Sequence, residues 1–222
     1  MSDFTNNTVP EKSWLVLGPG RTGSICIVTF LSTILYEVYH NITNPDSSTI
    51  NVAIPNGTIV HSHSLRTLDF ITPTTEIILS IRNPVETSLS NAIKLQIGTT
   101  HLFKGDTAVP TIFYLDPDIF LHDYNRAVSF YKNIPSKIKR RAKTIDYSEF
   151  CNDVTNLSSL LGMFDPKVEE NKKLYPGTCQ RLEQKLDQKL PIKNPGSYAE
   201  WISNWSEIES LYQELKSEWA GI

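Results

Sequence analysis

The feature that most constrains the fold is a short apolar run that ends in glycines and leads into a helix-like pattern. Residues 14–17 are all apolar, and Gly18-Pro19-Gly20 follows them at once. The apolar residues that come next recur at helical spacing, namely Ile25, Val28, Leu31, Leu35 and Val38. A buried strand, a tight turn and an amphipathic helix in this order predict the opening unit of an α/β fold.

Strand and helix patterns continue to alternate along the chain. We expect further strands at residues 57–61, 75–81 and 142–147, and helices at 85–97, 118–133 and 150–161. The polar stretch 165–197 predicts one helix at 181–190, and residues 198–219 predict one or two more. The alternation predicts a three-layer α/β/α fold with a central parallel sheet, in one domain of 222 residues whose first 12 form a loose arm.

The bulk composition argues against several classes of protein. A net charge of −3 gives no support for a nucleic-acid or membrane-surface binder, and we expect the basic run 137–143 to be a solvated helix end or loop. Three widely spaced cysteines do not predict a disulfide framework or a metal site. The longest apolar stretch is too short to span a bilayer, and the first residues do not resemble a targeting peptide. We therefore expect a cytoplasmic protein.

The glycine-rich turn is suited to an anion. In a strand–turn–helix unit the backbone N–H groups of the turn converge, and the helix dipole adds positive potential at the same point. Arg21 would add a cation, and Thr22 and Ser24 would add hydroxyl donors. Gly23 would let the backbone approach a ligand closely. In parallel sheets such sites lie at the carboxyl ends of the strands.

Two known loop types match this turn only in part. The nucleoside-triphosphate loop G-x-x-x-x-G-K-[ST] has the spacing of Gly18 and Gly23, but Ser24 stands where that loop has lysine. The tyrosine-phosphatase signature ends in Gly-x-Gly-Arg-Thr-Gly and needs a cysteine nucleophile six residues before the arginine. Leu15 occupies that position, which excludes thiol-phosphate chemistry at this loop.

Two segments together resemble the sulfotransferases that use 3′-phosphoadenosine 5′-phosphosulfate (PAPS). Residues 19–24, Pro-Gly-Arg-Thr-Gly-Ser, are similar to their 5′-phosphosulfate loop, Pro-x-[Lys/Arg]-[Ser/Thr]-Gly-[Thr/Ser]-Thr. Residues 82–90, Arg-Asn-Pro-Val-Glu-Thr-Ser-Leu-Ser, are similar to Arg-Asn-x-x-Asp-x-x-x-Ser, whose arginine and last serine bind the 3′-phosphate. The resemblance implies a P-loop-NTPase-like sulfotransferase fold. It implies nucleotide contacts from Gly20, Arg21, Thr22, Gly23, Ser24, Ile25, Arg82 and Ser90, although Ile25 lacks the hydroxyl of the family.

The same resemblance assigns catalytic roles to three residues. His63 aligns with the catalytic histidine of the family, which takes the proton of the attacking hydroxyl. His61 stands where the family has lysine, and either histidine is a candidate for the base. Arg21 would stabilise the charge that develops on the leaving bridge oxygen.

Weaker matches come from later in the chain. Tyr147 lies in a segment similar to a strand end of the family and is a candidate for adenine contact, although a core position fits it equally well. Lys193 and Gly196 resemble part of a basic glycine loop that closes over the 3′-phosphate. Cys26 stands where the family often has a tryptophan that stacks on adenine.

The resemblance therefore implies transfer of a sulfuryl group from PAPS to a hydroxyl or amine, with 3′,5′-adenosine bisphosphate (PAP) as product and no metal. The expected partner is a small-molecule or glycan acceptor, and we expect neither nucleic acid nor a membrane as a partner. A homodimer is possible. Two alternatives remain. One is a nucleotide or small-molecule kinase of the P-loop fold, and the other is a non-catalytic nucleotide-binding protein on a sulfotransferase fold.

Overall fold

The protein is described by a computed structural model over residues 12–35, 41–43, 52–97, 112–187 and 198–219. A five-stranded parallel sheet forms its centre, with the strand order β2-β3-β1-β4-β5. The strands are β1 (Ser13–Leu17), β2 (Asn41–Thr43), β3 (Thr58–Ser62), β4 (Thr75–Ile81) and β5 (Lys143–Asp146). The predicted parallel sheet is confirmed.

Helices connect the strands and continue after the last of them. Those that lie between strands are α1 (Ser24–Ile34), α2 (Pro84–Ile97), α3 (Pro117–Lys132) and α4 (Ser136–Arg141), with a 3₁₀ helix at Leu65–Phe70. Those that follow β5 are α5 (Tyr147–Phe150), α6 (Val154–Phe164), α7 (Pro166–Leu174), α8 (Pro176–Asp187), α9 (Tyr198–Trp201) and α10 (Trp205–Glu218). No helix in these described segments is long and apolar enough to cross a membrane.

Both faces of the sheet are buried, which explains the four consecutive apolar residues of the first strand. Trp14 and Val16 pack into a cluster with α1, α6 and α8 on one face. Leu15 and Leu17 pack into a second cluster with residues of α3 and α4 on the other face. A third cluster joins α2, α3 and α10. A parallel sheet covered on both faces needs apolar side chains at consecutive positions, as β1 has.

Most of the elements predicted from the sequence are confirmed, and several details differ. The predicted strand 75–81 matches β4, and strands β1, β3 and β5 and helices α2 and α3 agree within a residue or two. The predicted helix at 150–161 is two helices, because Asp153 caps the start of α6. Helix α7 and strand β2 were not predicted. Helix α8 begins at Pro176, earlier than the predicted start at residue 181.

The basic run at 137–143 forms most of α4 and the first residue of β5, which confirms a solvated helix end. The side chains of Lys137 and Arg140 are exposed. Arg141 donates from Nη2 to the carbonyl oxygens of Thr72 and Pro73, at 3.1 and 2.9 Å. A cation at the last turn of a helix also offsets the helix dipole. The run is thus part of the scaffold.

The sheet register brings three chain segments to one edge. Leu17, the last residue of β1, lies opposite Ser62 of β3 and Leu79 of β4. The residues that follow these three parallel strands therefore emerge side by side at the carboxyl edge of the sheet, where ligands bind in open α/β sheets.

Candidate anion-binding site

The loop after β1 is fixed by hydrogen bonds to both neighbouring strands. The backbone N–H of Gly18 donates to the carbonyl of Ser62, at 3.3 Å. The hydroxyl of Ser80 donates to the carbonyl of Thr22, at 2.7 Å. A Cβ at Gly18 would lie 2.5 Å from the carbonyl oxygen of Ser80, so only glycine fits there. The loop is therefore held between β3 and β4 before any ligand binds.

The loop backbone adopts left-handed conformations at two positions. Arg21 has φ 71° and Gly23, the residue that caps α1, has φ 78°. For a residue other than glycine this conformation costs about 1–2 kcal/mol. Such strain at a loop that carries candidate ligand-binding groups is typical of functional sites. The backbone N–H groups of Thr22, Gly23 and Ser24 donate to no backbone carbonyl within the described segments, so they are available at the start of α1.

The structure brings together the arginines and the serine that the sequence assigned to phosphates. The Nε of Arg21 donates to the hydroxyl of Ser90, at 3.2 Å. The Nη1 of Arg82 donates to the backbone carbonyl of Arg21, at 3.1 Å. The sequence placed Arg21 at one phosphate and Arg82 with Ser90 at another. In this structure the three side chains lie in one region at the carboxyl edge.

The charge of Arg82 is balanced by a carboxylate that it shares with another cation. The side chain of Arg82 is 8% exposed, and its Nε lies 3.6 Å from a carboxylate oxygen of Glu86. The other oxygen of Glu86 lies 3.3 Å from the Nζ of Lys216. Burial, and then the nearby charge of Arg82, lower the pKa of Arg21. Arg82 and Lys216 therefore share the carboxylate of Glu86, so neither cation has this counter-charge to itself.

Two tyrosines hold Arg82 in place. Its guanidinium lies over the ring of Tyr147, with Cζ 4.5 Å from the ring centroid, a cation–π contact. The hydroxyl of Tyr131 accepts a hydrogen bond from the backbone N–H of Arg82, at 3.1 Å. Burial raises the pKa of Tyr147 to about 12, so its hydroxyl is neutral. Tyr147 is 4% exposed, which fits the core position that the sequence left open, and its contact with adenine stays a prediction.

The two candidate histidines lie near the end of β3, His61 inside the strand and His63 just after it, and their environments differ. His63 is exposed, and its Nδ1 lies 2.7 Å from the carbonyl oxygen of Gly18. Because a carbonyl only accepts, Nδ1 carries the proton and Nε2 is left as the acceptor in the neutral ring. The two rings meet edge to face, with centroids 4.5 Å apart. His63 therefore has the tautomer that a general base requires.

His61 is 3% exposed, and its ring nitrogen is engaged in a hydrogen bond with a side chain of α1. Its Nε2 lies 2.8 Å from the hydroxyl oxygen of Ser24. Burial, and then His63, lower the pKa of His61 to about 4, so its ring is neutral at physiological pH. The hydroxyl of Ser24, predicted to face a ligand, is thus bonded to His61 in this structure.

The remaining predicted residues differ in accessibility. A Cβ at Gly20 would meet no atom within 4 Å, so the space over this residue is open. The side chain of Ile25 is 52% exposed at the start of α1. Lys193 and Gly196 lie outside the described residues. Among the described residues, no three His, Cys, Asp or Glu side chains form a group that could hold a metal ion.

Two parts of the site were not predicted from the sequence. Tyr131 reaches Arg82 only because α3 packs against the end of β4, and no local pattern signals that contact. A small pocket next to the loop is lined by Pro19, Gly20, Thr87, Ser88, Asn91, Asp123, Arg126 and Ala127. Its polar residues come from α2 and α3, and their proximity depends on the packing of those helices.

The fold and the site together define a class, an α/β protein with two arginines at the carboxyl edge of its parallel sheet. No protein-family model matches the chain, and no curated protein matches its sequence.

Proposed function

We propose that the chain is a PAPS-dependent sulfotransferase with a P-loop-NTPase-like sulfotransferase fold. The observation that carries the proposal is the convergence of Arg21 with Arg82 and Ser90. Arg82 lies 61 positions after Arg21 in the chain, and Ser90 lies 69 positions after it. Each of the two segments to which they belong resembles a phosphate-binding motif of the same family. A donor with a 5′-phosphosulfate and a separate 3′-phosphate is the ligand that uses both segments.

The two segments would divide the donor between them. Arg21 and the N–H groups of residues 22–24 would hold the 5′-phosphosulfate at the start of α1, where the helix dipole also favours an anion. Arg82 and Ser90 would hold the 3′-phosphate, since a guanidinium offers a planar fork to phosphate oxygens. The bond from Arg21 to Ser90 would then be exchanged for bonds to the ligand.

The transfer itself needs a base and a stabilised leaving group. The oxygen of an acceptor hydroxyl attacks the sulfur, a new S–O bond forms, and the bridge S–O bond to the 5′-phosphate breaks. The acceptor proton goes to Nε2 of His63, and the electron pair of the broken bond stays on the phosphate of PAP. Arg21, beside this phosphate, would stabilise the charge that develops there. An amine acceptor would follow the same course.

His63 fits the role of base better than His61. A base needs an accessible nitrogen that can accept a proton, and His63 presents Nε2 at an exposed position. The buried ring of His61 strongly disfavours its protonated form, and its Nε2 is occupied by Ser24. His61 would instead be a positioning residue that fixes the first turn of α1.

The experiment that tests the donor is a thermal-shift measurement with PAP and with ATP on separate samples. A ligand that binds only the folded state at 100 times its dissociation constant stabilises it by about 2.7 kcal/mol. We expect PAP to raise the melting temperature and ATP to raise it less. A shift with ATP alone would favour the kinase alternative, and no shift with PAP would overturn the proposal.

The base is tested by replacing His63 with alanine. Loss of a general base lowers turnover by about 10²–10⁴-fold. We expect this loss in single-turnover sulfuryl transfer, while the PAP shift of the variant stays that of the wild type. His122→Ala, at an exposed position of α3, is the matched control. Unchanged turnover in the His63 variant would remove this residue from the mechanism. A wild-type protein that binds PAP and transfers to no acceptor would favour the non-catalytic alternative.

A further inference from the structure

The small pocket beside the glycine loop lies between this loop and helices α2 and α3. Its interior measures about 20 Å³, and the empty space rises to about 260 Å³ only when the open mouth is included. An interior of this size holds one water-sized group. The pocket therefore takes a single polar group, such as one hydroxyl of a ligand whose remainder lies in the open mouth.

One wall of the pocket holds a buried hydroxyl. Thr87 is 5% exposed, and its Oγ1 has no hydrogen-bond partner in the part of the chain that the structure describes. Hydroxyls with this degree of burial are almost always hydrogen-bonded, to protein, to water or to a ligand. A polar atom that occupies the pocket beside Thr87 would satisfy that requirement.

The opposite wall holds a buried carboxylate. Asp123 is 8% exposed, and its Oδ2 accepts a hydrogen bond from Nδ2 of Asn91, at 2.7 Å. Because a carboxylate only accepts, the amide nitrogen of Asn91 has to face it, and the amide oxygen is left as a further acceptor. Arg126, one turn along α3, is exposed at the rim. The described residues provide no ion pair for Asp123.

We propose that this pocket binds a hydroxyl group of a neutral, polyhydroxylated ligand of the sugar class. A hydroxyl both donates and accepts, and the pocket offers acceptors from Asp123 and Asn91 together with donors from Thr87 and Arg126. An ammonium group would meet the charge of Arg126, and a sulfate or phosphate would meet the carboxylate of Asp123. A neutral polyol opposes neither charge.

The position of the pocket makes such a ligand a candidate acceptor, a role that rests on the proposed function. Gly20 lines the pocket, and Gly18 holds His63 through its carbonyl. Two consecutive residues of chain span roughly 8 Å at most, so these two points of the loop are about one sugar ring apart. A sugar held by Asp123 would therefore extend along the loop that carries Arg21 and contacts the base.

The test measures sugar binding directly, in the full chain, by ligand-observed NMR. The probes are methyl glucoside, methyl galactoside and methyl mannoside, with ethanolamine and sulfate as the charged comparisons. We expect at least one glycoside to bind with a millimolar dissociation constant. Asp123→Asn should weaken it about tenfold and Thr87→Val about threefold, since hydrogen bonds to charged groups contribute more than neutral ones. The matched controls are Asp118→Asn and Thr144→Val, both at exposed positions.

Three outcomes would overturn the inference. They are no binding by any glycoside, glycoside binding that neither pocket variant alters, and binding of ethanolamine or sulfate in place of the glycosides. Arg126→Gln, at an exposed position, keeps the test valid if the buried variants do not fold. The PAP thermal shift on the same samples separates the two proposals. A PAP shift without sugar binding removes only the pocket, and sugar binding without a PAP shift removes only the proposed donor.

Discussion

Each end of the central sheet holds a group of cations, and the two groups differ in the carboxylates that accompany them. At the amino end, the ammonium groups of Lys12 and Lys143 lie over the ring of Trp14, at 5.1 and 5.2 Å from its centroid. At the carboxyl end, the guanidinium of Arg82 lies over the ring of Tyr147 and donates to the backbone carbonyl of Arg21. Both groups combine positive charge with an aromatic ring, so the cations alone do not distinguish a structural cluster from a binding site.

The difference lies in the counter-charges. Lys12 has its own carboxylate in Asp165, at 2.8 Å, and Lys143 has its own in Glu76, at 3.1 Å. Arg82 instead shares one carboxylate, that of Glu86, with Lys216. A cation with its own carboxylate is neutralised within the fold. A group of cations with fewer carboxylates than charges has its full stabilisation only when an anion arrives from outside.

The largest expected effect comes from removing a cation at the carboxyl end. Arg21→Gln should abolish the PAP thermal shift and lower sulfuryl transfer by at least about 10³-fold, because Arg21 would contact the charge that develops on the leaving group. Calorimetry with and without PAP measures the shift, and Arg66→Gln, at an exposed position of the 3₁₀ helix, is the control. A PAP shift that survives Arg21→Gln would remove Arg21 from the donor site.

Removing a cation at the amino end should give the opposite result. Lys12→Met leaves the carboxylate of Asp165, whose side chain is 3% exposed, without its partner. An uncompensated buried charge of this kind lowers the free energy of unfolding by about 3 kcal/mol. Urea denaturation measures the loss, with Lys137→Met as the exposed control. The PAP shift should be that of the wild type, and its loss would mean that the two ends of the sheet are not independent.

The smallest effect is a pH dependence that comes from His61. Its pKa is about 4 in the folded protein and near 6.5 in the unfolded chain, so the unfolded state binds the extra proton first as the pH falls. The stability of the wild type should therefore fall between about pH 6.5 and pH 4, by up to about 3 kcal/mol. His61→Gln should lack this loss, whereas His122→Gln should retain it. Urea denaturation at each pH gives the free energy of unfolding. If this free energy changes with pH to the same extent in the wild type and in His61→Gln, His61 is not the cause of the loss.

The sequence predicted the parts of the fold that carry a periodic apolar signal. Strand β4 and helices α2 and α3 have such a signal, and their bounds agree with the prediction within a residue or two. Helix α7 does not, because only Val168 and Asn171 of its nine residues are buried. The sequence nevertheless contains a signal for the start of this helix, because Asp165 caps it and Pro166 follows in the first turn. Strand β2 has three residues, too few for a period to show.

In the candidate site, the sequence likewise predicted individual residues and missed the contacts that depend on packing. Arg21, Arg82 and Ser90 belong to short local patterns, so the sequence alone named them. Their mutual contact was not predicted, since it depends on how closely the loop after β1 approaches α2. The contacts of Tyr131 with Arg82 and of Asn91 with Asp123 join residues 49 and 32 positions apart. Only the packing of α3 against the sheet and α2 brings these residues together.

The close approach of Gly23 to α5 has a consequence for the order in which the site is assembled. A Cβ at Gly23 would lie 2.6 Å from the ring of Tyr147 and 2.7 Å from the ring of Phe150. These rings come from the segment after β5, so the residue that starts α1 is supported by a part of the chain synthesised much later. A nascent chain that has not yet added β5 already carries Arg21, Arg82 and Ser90, and still lacks the two rings against which Gly23 packs. The packing at the start of α1 is therefore completed late, when the last strand of the sheet is in place.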